Sequence, residues 1–482
     1  MRGCFFAEVW MLKVLDVVNR CVWGAPALLL IIGVGIYLSV VTGFAQLRLF
    51  PAAIRTFVGR FQNRNACGGD ASYRALCTAL AATVGTGNIA GVAGAISIGG
   101  PGAIFWMWVC GILGMVIKFA EATLAVLYHR KNEKGETVGG PMYMIEQGLP
   151  ARWKWLAGVY CFFGVVAAFG VGNATQVNAV IGSANAVIAF LGGVESRYTD
   201  LFIGIVLACL ITVMLLGGAK RIGSIAERLV PYAAVGYMLL CTTVLLICRR
   251  SLPGAFFAII QGAFSPGAVT GGVIGAVFTA IRVGASRGVF TNEAGMGTAA
   301  IAHGAADVVH PVSQGFMGII EVFLDTIVIC TLTALVILCS GVTIGYGTDT
   351  GVLLTVDAFS AILGSWVCVP IAIAMVCFAL ATVLGWGLYG IRCVQYLLDE
   401  KAWKCFVYLQ GAVVLVSAVL GTGTIWILAE TVNGLMAIPN LTALAYLAPK
   451  IQHLVLDFRK ASLDKCTAKV VKYHKYCGER KE

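Results

Sequence analysis

Charge is the scarce ingredient of this chain. Only 12% of its 482 residues are Asp, Glu, Lys or Arg, about half of the roughly 25% that a water-soluble domain uses. So little charge cannot dress an aqueous surface, and a free-standing soluble domain is excluded. Cysteines in metal or redox spacing are missing too. The 17 cysteines include no C-x-x-C, and most stand singly in apolar runs, as Cys110, Cys209, Cys330 and Cys377 do, where they serve as small hydrophobes. No H-E-x-x-H, P-loop or EF-hand pattern occurs, so metalloprotease chemistry and ATP-driven transport find no support. A cleavable signal is not expected either: residues 1–22 are charged and mildly amphipathic, and the apolar run that follows over 23–46 is too long for a signal core.

What the chain has instead is apolar sequence, 59% of residues with a mean hydropathy of +0.89. The runs recur along its whole length at about the 20 residues a spanning helix needs. They predict an all-α polytopic membrane protein of about eleven transmembrane helices, over 23–46, 76–98, 102–127, 154–182, 200–217, 229–248, 270–290, 314–340, 366–397, 404–421 and 425–448. Lys and Arg in the connecting segments set the orientation. With the N-terminus outside, 27 of the 34 basic residues fall in cytoplasmic segments, six fall outside, and Lys118 lies within a span. This predicts an outside N-terminus (1–22), a cytoplasmic C-terminus and residence in the cell (inner) membrane, with the lipid bilayer as partner. The net charge of +11 is spread over every cytoplasmic segment, so it does not form a nucleic-acid footprint, and no obligate protein partner is evident. The basic tail, 449–482, either touches anionic headgroups or is simply solvated.

One span is interrupted at its middle by Gly85-Thr-Gly-Asn88. Glycine unwinds helix cheaply, and the unwound midpoint exposes amide donors on one half-helix and carbonyls on the other. The donors suit a carboxylate and the carbonyls a small cation. Glycines that only let helices pack closely are the plainer alternative, but three small polar residues at mid-membrane depth exceed what packing needs. Gly85-Thr-Gly-Asn-Ile-Ala90 also spells a dinucleotide fingerprint, and Gly284-Ala-Ser-Arg-Gly288 a nucleophile elbow. Neither has the strand–turn–helix context its chemistry requires.

Other polar residues inside spans are fewer. Lys118 and Glu121 are spaced to pair on one helix face. Glu321 and Asp325 lie four apart, so either a cation or proton relieves their repulsion, or Asn and Thr of neighbouring helices do. Gly172-Asn-Ala-Thr-Gln-Val-Asn178 puts amides in an apolar span, as ligands or as helix glue. Ala381-Thr-Val-Leu-Gly-Trp-Gly387 sets a hydroxyl and a large ring beside glycines, where the ring packs or walls a small pocket. Thr291-Asn-Glu-Ala-Gly-Met-Gly297 is expected to be a cytoplasmic loop, a gate or a structural elbow.

Taken with Gly99-Gly-Pro-Gly-Ala-Ile-Phe-Trp106, Gly139-Gly-Pro-Met-Tyr143, Ala226-Glu-Arg-Leu-Val-Pro231, Phe323-Leu-Asp-Thr326 and Asn433-Gly-Leu-Met-Ala-Ile-Pro-Asn440, the broken span and the Thr291 motif resemble the alanine/glycine:cation symporter family. The match runs in order from about residue 20 to 450. The resemblance implies a secondary active importer of small neutral amino acids, alanine or glycine, and no enzyme. It also implies a five-plus-five inverted-repeat fold like that of the neurotransmitter:sodium symporters. The 23–46 helix would be additional, 76–448 the core, 76–248 its first repeat and 270–448 its second. By the same resemblance Thr86, Gly87, Asn88, Gln176, Ile281 and Trp386 would bind substrate. The coupling ion, sodium with a proton as alternative, would sit between the Ala81 and Val84 carbonyls and the Thr382 hydroxyl. The chain departs from the family where Ala381 and Gly387 replace hydroxyl residues, which removes an oxygen that sodium, unlike a proton, would use. A multispan enzyme lacks a catalytic constellation. An open channel fits glycine-broken helices around a small pocket less well than alternating access does.

Overall fold

Helix is forced on most of this chain by its solvent. Where no water reaches the backbone, its amides must bond within the same segment, which an α-helix achieves unaided. The computed structural model describes residues 25–62, 69–274, 277–348, 351–419 and 423–467. Its longer α-helices are, in order, α1 (Ala25–Val41), α2 (Phe50–Gln62), α3 (Gly69–Thr83), α4 (Ala90–Gly99), α5 (Gly102–Leu127), α6 (Pro141–Gly148), α7 (Trp155–Phe169) and α8 (Thr175–Phe190). There follow α9 (Arg197–Leu216), α10 (Gly218–Ile247), α11 (Leu252–Phe264), α12 (Val277–Asn292), α13 (Thr298–His303), α14 (Pro311–Val322) and α15 (Thr331–Cys339). Last come α16 (Gly351–Leu363), α17 (Cys368–Leu397), α18 (Trp403–Val419) and α19 (Gly423–Thr467). One hairpin, β1 (Arg130–Lys131) with β2 (Thr137–Val138), is the sheet found among the described residues. The side chain of Glu430, an acid that the sequence puts inside the 425–448 span, lies outside the described residues, as do residues 1–24 and 468–482.

Among the described residues six helical stretches are long and apolar enough to cross a membrane: Gly102–Leu127, Ala151–Phe190, Arg197–Leu216, Gly218–Ile247, Pro311–Cys339 and Ser365–Leu397. The stretches read as spans fall largely on helices, although 76–98 is interrupted and 270–290 begins ahead of α12, and several helices outrun them. Helix α10 starts at Gly218, and α19 continues to Thr467 through what reads as tail. Charged, amphipathic turns at those ends extend the helix without adding to the apolar signal.

The distribution of side chains is inverted with respect to a protein in water. Phe202, Leu239, Phe257 and Ile373 are 60% exposed or more, whereas Lys118, Glu121, Glu321 and Asp325 are fully buried. Apolar surface on this scale faces lipid. Inside, α17 packs against α3, α7, α8 and α10, and α5 against α12 and α14. Small residues permit the closest of these contacts. A Cβ on Gly385 of α17 would come within 2.8 Å of the Ala82 Cβ on α3, and one on Gly172 would land on Trp386.

Two helices are interrupted and two are widened. Helix α3 stops at Thr83 and α4 starts at Ala90, with a 3₁₀ turn, Thr86–Asn88, between them. Helix α12 stops at Asn292 and α13 starts at Thr298. There Glu293 takes φ 54°, and Gly295 and Gly297 take 91° and 78°, a region that only glycine enters freely. π-turns at Gly170–Ala174 and Phe323–Cys330 widen the α7–α8 and α14–α15 helices. Such turns concentrate at functional sites.

Candidate functional site

The two interruptions meet. A Cβ on Gly87 of the first would lie 3.2 Å from the Thr291 hydroxyl at the end of α12. Between them lies a small cavity. The first break contributes Gly85, Thr86 and Gly87, α8 contributes Gln176, the second break Thr291 and Glu293, and α17 Thr382 and Trp386.

Some of the freed backbone groups of the first break have partners supplied by a neighbouring helix or by the break itself. The Asn88 Oδ1 accepts from the Gly85 amide at 2.9 Å. The Thr382 hydroxyl donates to the Ala81 carbonyl at 3.2 Å, and the Thr355 hydroxyl to the Ile89 carbonyl at 3.3 Å. Gly85 is required by this approach, because a Cβ there would stand 2.6 Å from the Thr382 oxygen. At the second break, Glu121 Oε1 accepts from the Gly295 and Gly297 amides at 3.0 and 3.1 Å and from Asn440 at 2.7 Å. Glu121 therefore holds the second loop. Lys118 does not pair with it along α5, as the spacing predicts, but crosses to Glu321 at 2.9 Å. That ammonium serves the residue with the greater need, since Glu121 already has three N–H donors.

Glu293 is a pocket residue. Its Oε1 accepts from the Trp386 indole at 2.7 Å and its Oε2 from the Thr298 hydroxyl at 2.6 Å. Two other polar atoms on the cavity have no partner: the Thr86 hydroxyl and the Gln176 Oε1 are buried and unsatisfied. A carboxylate, a hydroxyl, an amide oxygen and broken-helix amides thus converge on one small space. Together they can bind a zwitterion, whose ends require opposite partners.

Of the residues expected at the site, Thr86, Gly87, Gln176, Trp386 and Thr382 line this cavity, and the Ala81 carbonyl is bonded to Thr382. Val84 is buried at the start of the break. Asn88 lies in the break but directs its amide away, donating to Asp325 Oδ1 at 2.7 Å. Ile281 is elsewhere: it precedes Phe290, a lining residue, by nine positions on α12, about 13 Å along the axis. Sequence reading missed Phe290, Thr291 and Glu293 as lining residues and left 291–297 in a cytoplasmic loop. The signal there is weaker than at residues 85–88, because the glycines of 293–297 follow the apolar run and do not interrupt it. The amides of this stretch divide by role. Asn173, in the π-turn before α8, donates its side-chain N–H to the Gln410 side-chain oxygen of α18 and at 3.0 Å to the Gln410 carbonyl, so it ties two helices together, whereas Gln176 of α8 lines the cavity.

Known proteins resemble the chain closely. The family model described as the sodium:alanine symporter family matches residues 8–472. The sodium/alanine symporter AgcS of Methanococcus maripaludis is 42% identical over 440 residues, covering 90% of this chain and 94% of that one. A transporter of Haemophilus influenzae is 40% identical over 449 residues, covering 92% and 96%. Among solved structures, that of MhsT in complex with L-phenylalanine superposes with a TM-score of 0.54 at 16% identity, over 80% of this chain and 97% of that one. That last likeness speaks for the fold alone. The chain belongs to the sodium:alanine symporter family: it is a multi-pass membrane transporter and not an enzyme.

Proposed function

We propose that this member of the sodium:alanine symporter family imports small neutral amino acids, alanine and glycine first, together with sodium. The observation that carries the reading is the pair of unsatisfied atoms, Thr86 Oγ1 and Gln176 Oε1, facing the Glu293 carboxylate across one small cavity. In this reading the substrate carboxylate takes the amides of Thr86 and Gly87, with the Thr86 hydroxyl as a further donor. The ammonium goes to Glu293 and the Gln176 oxygen. Trp386, held by its own bond to Glu293, closes the side-chain end and limits its size. Asn88 acts from behind by capping Gly85. Sodium is carried beside the Ala81 and Val84 carbonyls and the Thr382 hydroxyl, and the name of the relative AgcS supports both sodium and alanine.

We read the frame as eleven crossings in the cell membrane, N-terminus outside, with 23–46 additional, 76–248 the first repeat and 270–448 the second. The two breaks support this division, since each interrupts the first helix of its half. Ile281 then lies outside the substrate contacts, and Glu293 takes its place.

Counterflow of labelled alanine in proteoliposomes, with and without a sodium gradient, tests the reading. Uptake should follow the sodium gradient, glycine should compete, and leucine and phenylalanine should compete poorly. Glu293→Gln should raise the half-saturating alanine concentration about 10- to 100-fold, the worth of one charge-assisted hydrogen bond. If leucine inhibits as well as alanine does, the small-pocket reading is wrong.

A further inference from the structure

The proposed function leaves one buried acid without a task. Within the described membrane interior Glu321 takes Lys118 at 2.9 Å and His303 at 3.0 Å, and Glu121 takes three N–H donors. Glu293 faces the cavity. Asp325, fully buried on the Phe323–Cys330 π-turn, has only uncharged donors. Asn88 gives its amide to Oδ1 at 2.7 Å, and Thr326 gives its hydroxyl to Oδ2 at 2.9 Å. Among the described residues no cation stands within ion-pair distance of it. A buried charge left unpaired costs several kcal/mol, and taking up a proton is the usual relief.

The neighbours fit a proton better than sodium. Sodium asks for converging oxygen lone pairs, whereas here N–H and O–H groups converge. Asn292 donates to the Thr326 oxygen at 3.2 Å, which turns the Thr326 proton toward Asp325. The Asn88 oxygen is already engaged by the Gly85 amide. We propose that Asp325 is a proton-binding site linked to the substrate cavity through Asn88, so that alanine and a proton bind in competition.

The link is a matter of donors and acceptors. With Asp325 ionised, Asn88 can donate to it and accept from Gly85 at once, and the break is held ready for a carboxylate. A proton on Oδ1 sets a donor against the Asn88 amide. Asn88 must then turn its oxygen to Asp325, which takes the cap from Gly85. Turning puts the Asn88 N–H₂ where its oxygen stood, against the Gly85 amide, and carries it off the Asp325 carbonyl and the Cys330 sulfur that it now reaches at 3.2 and 3.4 Å. The single side-chain oxygen can serve Gly85 or a protonated Asp325 but not both, so substrate and proton favour opposite arrangements, which makes the coupling reciprocal. On alanine binding the Asp325 proton leaves for solvent, and it is regained when the cavity empties.

Other groups around Asp325 do not replace it in this role. Glu321, four residues back, and Lys118 of α5 neutralise each other. Glu121, also on α5, is turned to the second break, and the Cys110 thiol of that helix lies on the Ala285 carbonyl at 3.6 Å. From α12 comes the Asn292 amide, and beyond Asn88 the thiol of Cys330.

The inference rests on the reading of the broken helix as the substrate site, and the test separates the two. Purified protein in weakly buffered detergent with sodium present should release protons when alanine is added, as read by a pH indicator. Its affinity for labelled alanine should fall as the solution is acidified. Asp325→Asn, whose amide can still accept from Asn88, should bind alanine with an affinity independent of pH and release no proton. Asn88→Ala should bind more weakly and also without release, which covers the case that Asp325→Asn does not fold. Alanine binding by the wild type without proton release and with one affinity from acid to alkaline pH would overturn the inference and leave the function standing, as would undiminished release by Asp325→Asn. No alanine binding by the wild type at all would sink the function and this inference with it.

Discussion

Position 381 is where this chain parts from the oxygen-rich pattern its family resemblance leads one to expect. Ala381 is buried beside Thr382, whose hydroxyl is on the Ala81 carbonyl and against Gly85. A serine at 381 would add one oxygen in a fully packed place for the volume of one atom. If sodium sits between the Ala81 and Val84 carbonyls and Thr382, it binds with one ligand fewer and transport saturates only at high sodium. Ala381→Ser should therefore lower the sodium concentration for half-maximal alanine uptake, and Thr382→Val should abolish sodium stimulation while the protein still reaches the membrane. Uptake driven by a proton gradient in sodium-free buffer, unaffected by either change, would refute sodium coupling. Residues of this kind were legible in the sequence because their chemistry is out of place in lipid. Their chemistry marked Gln176 and Trp386 for attention, but it was the family resemblance that assigned them to the pocket. Glu293 was not placed there, because a carboxylate after Asn292 looks like the end of a span until the fold brings that end to the middle of the molecule.

At the scale of elements, the sequence marked the first break because glycine and small polar residues stand in the middle of an apolar run. It did not mark the second. Residues 293–297 lie past the apolar run, and only the packing of Gly87 on Thr291 shows that both interruptions share one level. The pairing of Lys118 with Glu321 rather than Glu121 was equally hidden, since spacing along one helix says nothing of the helix opposite. Helix α17, which carries Thr382 and Trp386, is held near its end by a contact with the β1–β2 hairpin: Arg392 donates to Glu136 at 3.1 Å. Burial pushes the Glu136 carboxyl up, but the Arg392 hydrogen bond and charge, with Asn132 and Lys134, outweigh this and hold it below the ordinary carboxylate value. A carboxyl depressed in the folded state stabilises it at every pH above the unfolded value, and loses that contribution only as pH falls through the folded one. Glu136→Gln should thus lower the thermal midpoint in detergent by a constant amount from pH 8 to pH 5, with the gap to wild type closing only below the ordinary carboxylate range. A gap that already closes near neutrality would show that Glu136 is not the group responsible.

Over the whole molecule, the same scarcity of charge that excluded a soluble domain also decides which way the chain lies. With so few charged residues, their placement is informative: in the proposed eleven-crossing frame 27 of the 34 basic residues fall on one side, and the proposal puts that side in the cytoplasm. The helices place the 191–196 connection and the β1–β2 hairpin at opposite ends of the α7–α8 stretch, Ala151–Phe190. Val194 is 85% exposed and should face outside, and Glu133 is exposed in the hairpin and should face the cytoplasm. In a background with Cys209 and Cys405, the exposed cysteines among the described residues, replaced along with any others that react, Val194→Cys should label with an impermeant maleimide on intact cells. Glu133→Cys should label only after the membrane is opened. Labelling of Glu133→Cys on intact cells, with Val194→Cys protected, would reverse the orientation. It would also turn the proposed importer's sodium gradient against it, because the cavity between the two breaks would then load from the wrong side.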